Sequence, residues 1–222
     1  MIQVQALSTV EAVAAELRRG IFAGDLASDA HVTEAEVAAN YGVARPTAKA
    51  AIEKLVSERL LRRGLHKTAR VPVIGPDDIR DLCLTRSLIE TKVVARLAEQ
   101  RKVPVATAQS HTTLRDILPT ADITIIEPIV NFHMTMVNAF GSQRTSRLYE
   151  TLMGEMRLAM AQMHIRRTLS VTTIAQEHEK ILKCIAAGDS EGAVRELERH
   201  LQNTAARLQP DDAGVREIAL RS

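Results

Sequence analysis

The chain has 222 residues, 45% of them hydrophobic and 25% charged, with a formal net charge of +2. This composition suits a soluble globular protein of one large or two modest domains, and no apolar run approaches the length of a membrane span. Aromatic residues are 2% of the chain and tryptophan is absent, which argues against a stacking platform for single-stranded nucleic acid. The opening stretch MIQVQALSTVEAV has neither the basic head nor the apolar core of a signal peptide, so a cytoplasmic location is expected. Cys83 and Cys184 lack the spacing of a zinc site and read as reduced thiols in apolar helical contexts.

The first helix starts at Ser8 and Glu11, spaced as a capping box, and Val10, Val13, Ala14, Leu17 and Ile21 then give it one apolar face. A turn is expected in AGDLASDAH. A second, short helix opens with Thr33 and Glu36 and stops at Gly42, a residue that accepts the left-handed backbone of a helix end. A third begins near Arg45, with Pro46 in its first turn and Ala48, Ala51, Ile52 and Leu55 facing inward. Two short helices around a tight Gly-Val turn, after a longer helix, form a helix-turn-helix pattern. The stretch LLRRGLHKTARVPV follows as a β-hairpin wing, with Arg62, Arg63, His66 and Lys67 near its tip.

Charge concentrates here. Arg45 to Arg70 contains eight Lys/Arg against Glu53 and Glu58, a net of +6, whereas Thr9 to Ala44 carries a net of −4. A local positive field of this kind suits contact with duplex DNA. The start of the third helix would enter the major groove, where Arg45 can grip guanine in bidentate fashion, with Thr47 beside it and Lys49 reaching a base or a phosphate. His66 and Lys67 would enter the minor groove or hold phosphates, and Arg62 and Arg63 are expected to contact the DNA beside them.

After Gly75-Pro76 the pattern becomes helix after helix, at about 77–101, 104–117, 121–140, 143–167, 171–187 and 190–208, with Pro210 ending the last. His133, His178 and His200 fall on three of these helices, each among apolar neighbours at helical spacing. A single such histidine is most often a hydrogen-bonded core residue. Three on neighbouring helices of one bundle are how bundles build metal sites, and imidazole suits zinc, nickel, copper or iron. Arg86 reads either as a partner for a carboxylate ligand or as a plain helical pair with Glu90 four residues on.

The segment VTEAEVAANYGVARPTAKAAIEKL, followed by VSERLLRR, resembles the DNA-binding domain of GntR-family bacterial transcriptional regulators, whose usual core is GVSRTPVREAL. Gly42, Val43 and Arg45 match. Ala44 replaces a serine that would cap the helix, and Lys49 replaces an arginine. The segments TRSLIE, NFHMTMVNAFG, EHEKILKCIAAGD and AVRELERHL resemble the all-helical FCD effector domain of FadR-like members. That resemblance implies a divalent metal, zinc or nickel, held by His133, His178 and His200, and an organic-acid effector bound beside it by the same histidines and Arg86. His178 and His200 keep the usual spacing of 22. The family's metal-binding Asp falls at Ile129, which cannot coordinate, and Ser142 stands where an Asn is usual. A metal-free pocket, with the histidines hydrogen-bonded directly to an acid, is the competing reading of the site.

The expected fold is therefore mostly α: a winged helix-turn-helix DNA-binding domain over 1–74, a helical effector-binding and dimerisation domain over 75–208, and a tail over 209–222. The expected function is a ligand-responsive regulator that binds a pseudo-palindromic duplex operator as a homodimer, with repression relieved by a small carboxylate. The alternative is a metal-dependent enzyme using the three-histidine site. Glu177, directly before His178, is expected to point away from that site around the helix.

Overall fold

The computed structural model describes residues 8–64, 68–117, 125–164 and 170–208, the side chains of 163 and 164 excepted. The expected roles of His66 and Lys67, the helix start at 121, the helix end at 167 and the tail 209–222 fall outside the described residues. The chain divides into two compact units, Met1–Val73 and Ile74–Ser222.

In the first unit α1 (Thr9–Ala23) buries Val13, Ala14, Leu17 and Ile21. Ser8 caps it by accepting from the Glu11 N–H at 3.2 Å. The expected return bond from Glu11 is not made, because the Glu11 carboxylate pairs with Lys54 and Arg18 instead. A two-residue strand, β1 (His31–Val32), follows. Helix α2 (Glu34–Tyr41) carries the full reciprocal cap between Thr33 and Glu36 and ends on Gly42 at φ 61°. That backbone strains any residue with a Cβ.

Helix α3 (Arg45–Ser57) packs its buried Ala48, Ala51, Ile52 and Leu55 against α1 and α2. Ala44 gives it no side-chain cap. Strands β2 (Arg62–Arg63) and β3 (Ala69–Arg70) form the wing hairpin. Strand β1 joins them through His31 opposite Arg70 and Val32 opposite Ala69, so the sheet has the order β1-β3-β2. The turn expected in AGDLASDAH ends in this strand rather than running through His31. Two residues are too few to show alternation, and pairing with β3 is what makes them a strand.

Every described secondary-structure element of the second unit is a helix. The unit comprises α4 (Pro76–Glu99), α5 (Val105–Asp116), α6 (Ile126–Asn138), α7 (Gln143–His164), α8 (Val171–Ala187) and α9 (Ser190–Arg207). Helix α4 is the centre, packing on α6, α7, α8 and α9. Ser142 starts α7 by accepting from the Thr145 N–H at 3.3 Å, and Gly188 ends α8 at φ 79°. Helix α6 is the most apolar of the set, and His133 sits inside its buried face with Ile129, Val130, Phe132, Met136 and Val137. No helix among the described residues is long and apolar enough to cross a membrane.

Candidate functional site

Each unit carries one candidate site. In the first, the inward-facing alanines and Ile52 of α3 turn its other side to solvent. Arg45 and Lys49 are exposed there and Thr47 is half-buried. Arg62 is also exposed, on β2. None of Arg45, Lys49 and Arg62 makes an ion pair within the described residues, so their charge is available to a polyanion. Arg63 is placed differently. Its Nε donates to Glu53 Oε1 of α3 at 3.0 Å, and its Nη2 lies 3.6 Å from Glu34 of α2. It ties the wing strand to both helices of the motif.

The second site is buried. His133 on α6, His178 on α8 and His200 on α9 are 0%, 0% and 2% exposed, and one ring nitrogen from each lies within 4.8 Å of the others. His133 Nδ1 meets Glu90 Oε2 at 2.7 Å, and His200 Nδ1 meets Glu177 Oε2 at 2.8 Å. An ionised carboxylate can only accept, so both imidazoles carry their proton on Nδ1 and leave a lone pair on Nε2. Those two Nε2 atoms face one another at 3.2 Å. His178 stacks on the Phe132 ring at 3.8 Å, and both of its ring nitrogens are buried without a hydrogen-bond partner.

Charge in this centre is tightly arranged. Glu90 is fully buried and also accepts from Arg86 Nε at 2.7 Å and from the Tyr149 hydroxyl at 2.5 Å. Burial alone would raise its pKa, but Arg86, His133 and Tyr149 together hold it well below the usual carboxylate range. The same happens at Glu177, where burial is outweighed by bonds from His200, Arg207 and Asn203, bringing it to about 2. Burial pushes His133 down to about 3, with Arg86 adding to the effect. Burial also holds His178 well below its ordinary value and lowers His200, where Glu177 partly offsets it. All three imidazoles are therefore neutral near pH 7, the form that binds metal.

The residues fit a divalent ion. Two nitrogens bound to a tetrahedral zinc at about 2.0–2.1 Å would be roughly 3.3–3.4 Å apart, close to the observed Nε2 separation. Two facing lone pairs and an unpartnered third imidazole are otherwise costly in a dry interior. Carboxylates on the outer ring nitrogens are also the usual means of orienting metal-bound histidine. The Asp position implied by the resemblance is apolar here, as Ile129 is 5% exposed and lines a small cavity beside Arg86 and His200.

Glu90, Tyr149 and Glu177 were not recognised as parts of this centre from the sequence. Glu90 appeared only as a helical partner of Arg86. That pair does form, and the sign of more was its place among Cys83, Val93, Val94 and Leu97 on the buried face of α4. The expectation for Glu177 needs correction. It does turn away from the His178 ring, but toward α9, where it holds His200, Asn203 and Arg207. Arg86 is 2% exposed, and its Nη2 has no hydrogen-bond partner.

Comparison with known proteins matches both halves. The FCD domain pattern matches residues 81–203, and the pattern described as bacterial regulatory proteins, gntR family, matches residues 9–71. A crystal structure of a GntR transcriptional regulator from Rhodococcus sp. RHA1 superposes with a TM-score of 0.78 at 23% identity, covering 91% of this chain and 98% of that one. McbR/YncC of E. coli gives 0.72 at 19%, with coverage of 91% and 98%. BphR of Paraburkholderia xenovorans (strain LB400), an uncharacterized HTH-type transcriptional regulator, is 23% identical over 213 residues, 89% of this chain and 84% of its own length. At these identities the two structural likenesses speak for the fold alone.

Proposed function

The chain belongs to the GntR family of bacterial regulatory proteins and carries an FCD domain, and from that premise we propose that it is a cytoplasmic, ligand-responsive repressor whose effector is a small organic acid. It binds a pseudo-palindromic duplex operator as a homodimer, because a two-fold protein matches two half-sites. Arg45 and Thr47 read the major groove, and Lys49 and Arg62 hold phosphates, with His66 and Lys67 as further phosphate contacts. Arg63 supports this surface through Glu53. In the helical domain His133, His178 and His200 hold zinc or nickel. An ion held there would supply a Lewis-acid contact to a carboxylate oxygen, and Arg86 would share the acid's negative charge.

The observation that carries this reading is the pair of Nε2 atoms at 3.2 Å beside an unpartnered His178. It favours the metal site over a metal-free pocket. Hydrolysis at the same centre would need a free carboxylate as general base. Glu90 and Glu177 are both held by imidazole and arginine or tyrosine partners, so the regulator is the better reading.

Two linked measurements test it. Elemental mass spectrometry of untagged protein should find about one zinc or nickel ion per chain. Selection from a random duplex pool should return an inverted repeat, whose binding weakens when a suitable acid is added. By linkage, the operator should weaken acid binding by the same factor. A chain that stays metal-free after incubation with zinc and nickel salts would sink the metal part. A selected pool with no inverted repeat would sink the dimeric operator.

A further inference from the structure

The cavity beside the histidine centre has a simple chemistry. Its apolar wall is Ile129, Met153, Met160, Ile174 and Leu208, each no more than 5% exposed. Its polar lining is Arg86, His200, Thr204 and Arg207, and most of that polarity is already used. His200 Nδ1 is bonded to Glu177, and its Nε2 faces His133. The Thr204 hydroxyl donates to the His200 carbonyl at 2.9 Å. Arg207 is held by Glu177 through both terminal nitrogens. Arg86 is the lining residue with a buried donor, its Nη2, that has no partner among the described residues.

Resting on the effector reading above, we infer that this site selects a short monocarboxylate with an apolar body, and that Ile129 sets the selection. One free guanidinium nitrogen, beside a divalent ion when one is bound, accommodates one carboxylate. A second carboxylate or a hydroxyl on the ligand would meet Ile129, Ile174 or Leu208 and lose its hydration without a replacement bond. The cavity measures about 20 Å³, room for about one water, so the ligand is short and the wall must move to admit it. Met153 and Met160 supply that movement, since thioether side chains are unbranched and repack easily. Arg86 already has Glu90 as its counter-charge, so an aspartate at position 129 would place a second anion beside the centre and take the position of an external one. Isoleucine leaves that position to the ligand and gives it an apolar floor.

The test is calorimetric titration of the full chain, loaded with zinc, against four acids of equal carbon number: butyrate, 3-hydroxybutyrate, succinate and malate. Butyrate should bind best, by roughly tenfold or more over succinate and malate, with 3-hydroxybutyrate between. Lengthening propionate to butyrate should tighten binding by roughly fourfold if the added methylene is buried. Ile129→Leu should keep the order. Ile129→Thr should narrow the gap between butyrate and 3-hydroxybutyrate, and Ile129→Asp should weaken butyrate by about tenfold or more. If a variant does not fold, the order on the unaltered chain decides. Succinate or malate binding as tightly as butyrate would overturn the ligand class and leave the effector reading standing. No binding of any of the four acids, with zinc or without, would overturn both.

Discussion

In the first unit Arg45, Lys49 and Arg62 stand exposed without ion-pair partners among the described residues, whereas in the second two buried hydrogen-bonded groups, Arg86–Glu90–His133 and Glu177–His200, meet at the facing imidazoles. Exposed charges are fully hydrated, so each acts almost alone and salt screens it. Buried charges have lost their water, so each depends on its partners and the group behaves as a unit. A surface of the first kind suits a polyanion that is held and released. A centre of the second kind suits a ligand that must be recognised atom by atom.

Substitutions can break that contrast or sharpen it. The largest effect is expected for Glu90→Gln, which leaves Arg86 buried without its counter-charge. Chemical denaturation should show a loss of about 3–5 kcal/mol, and a loss under about 1 kcal/mol would mean that the network is not a unit. Glu177→Gln is next. It keeps the shape but weakens the orientation of His200, and competition with a chelator should show metal affinity reduced by roughly 10–100-fold. Equal affinity in the variant would remove Glu177 from the centre.

On the DNA-binding surface the effects are smaller and separable. Arg45→Ala should cost about 1–3 kcal/mol on the operator and relax preference at one base pair. Lys49→Ala should weaken operator and random duplex alike and reduce the slope of log affinity against log salt by about 0.9. Arg63→Ala should instead leave that slope unchanged while lowering affinity, and Glu53→Gln should copy it, because the two form one strut. A slope reduced by Arg63→Ala alone would make Arg63 a phosphate contact. The smallest effect is a gain: Ala44→Ser should add the missing cap of α3 and stabilise the first unit by about 1 kcal/mol, seen as a higher denaturation midpoint.

Much of the first unit was legible in local signals. Thr33 with Glu36, the stop at Gly42 and the inward alanines of α3 each specify a helix boundary or face from residues a few positions apart. Strand β1 was not legible, because His31 and Val32 become a strand only when β3 arrives from almost forty residues away. In the second unit the helices followed from their apolar spacing and from breaks at Pro104, Gly141 and Gly188. Three histidines among apolar neighbours on separate helices, together with the family resemblance, pointed to the convergence of His133, His178 and His200, and the structure brings their ring nitrogens together.

By itself the sequence determined which segments are helical, where the positive charge lies, and that Ile129 cannot bind a metal. These are properties of residue type and short spacing, fixed before the chain folds. Only the tertiary structure decided which carboxylate serves which histidine. Glu177 neighbours His178 in the chain yet bonds His200, and Glu90 lies 43 residues from His133 yet sets its tautomer. Such pairings depend on how helices are rotated and stacked. In a buried centre it is the fixed orientation of polar atoms, deprived of water, that gives each residue its role.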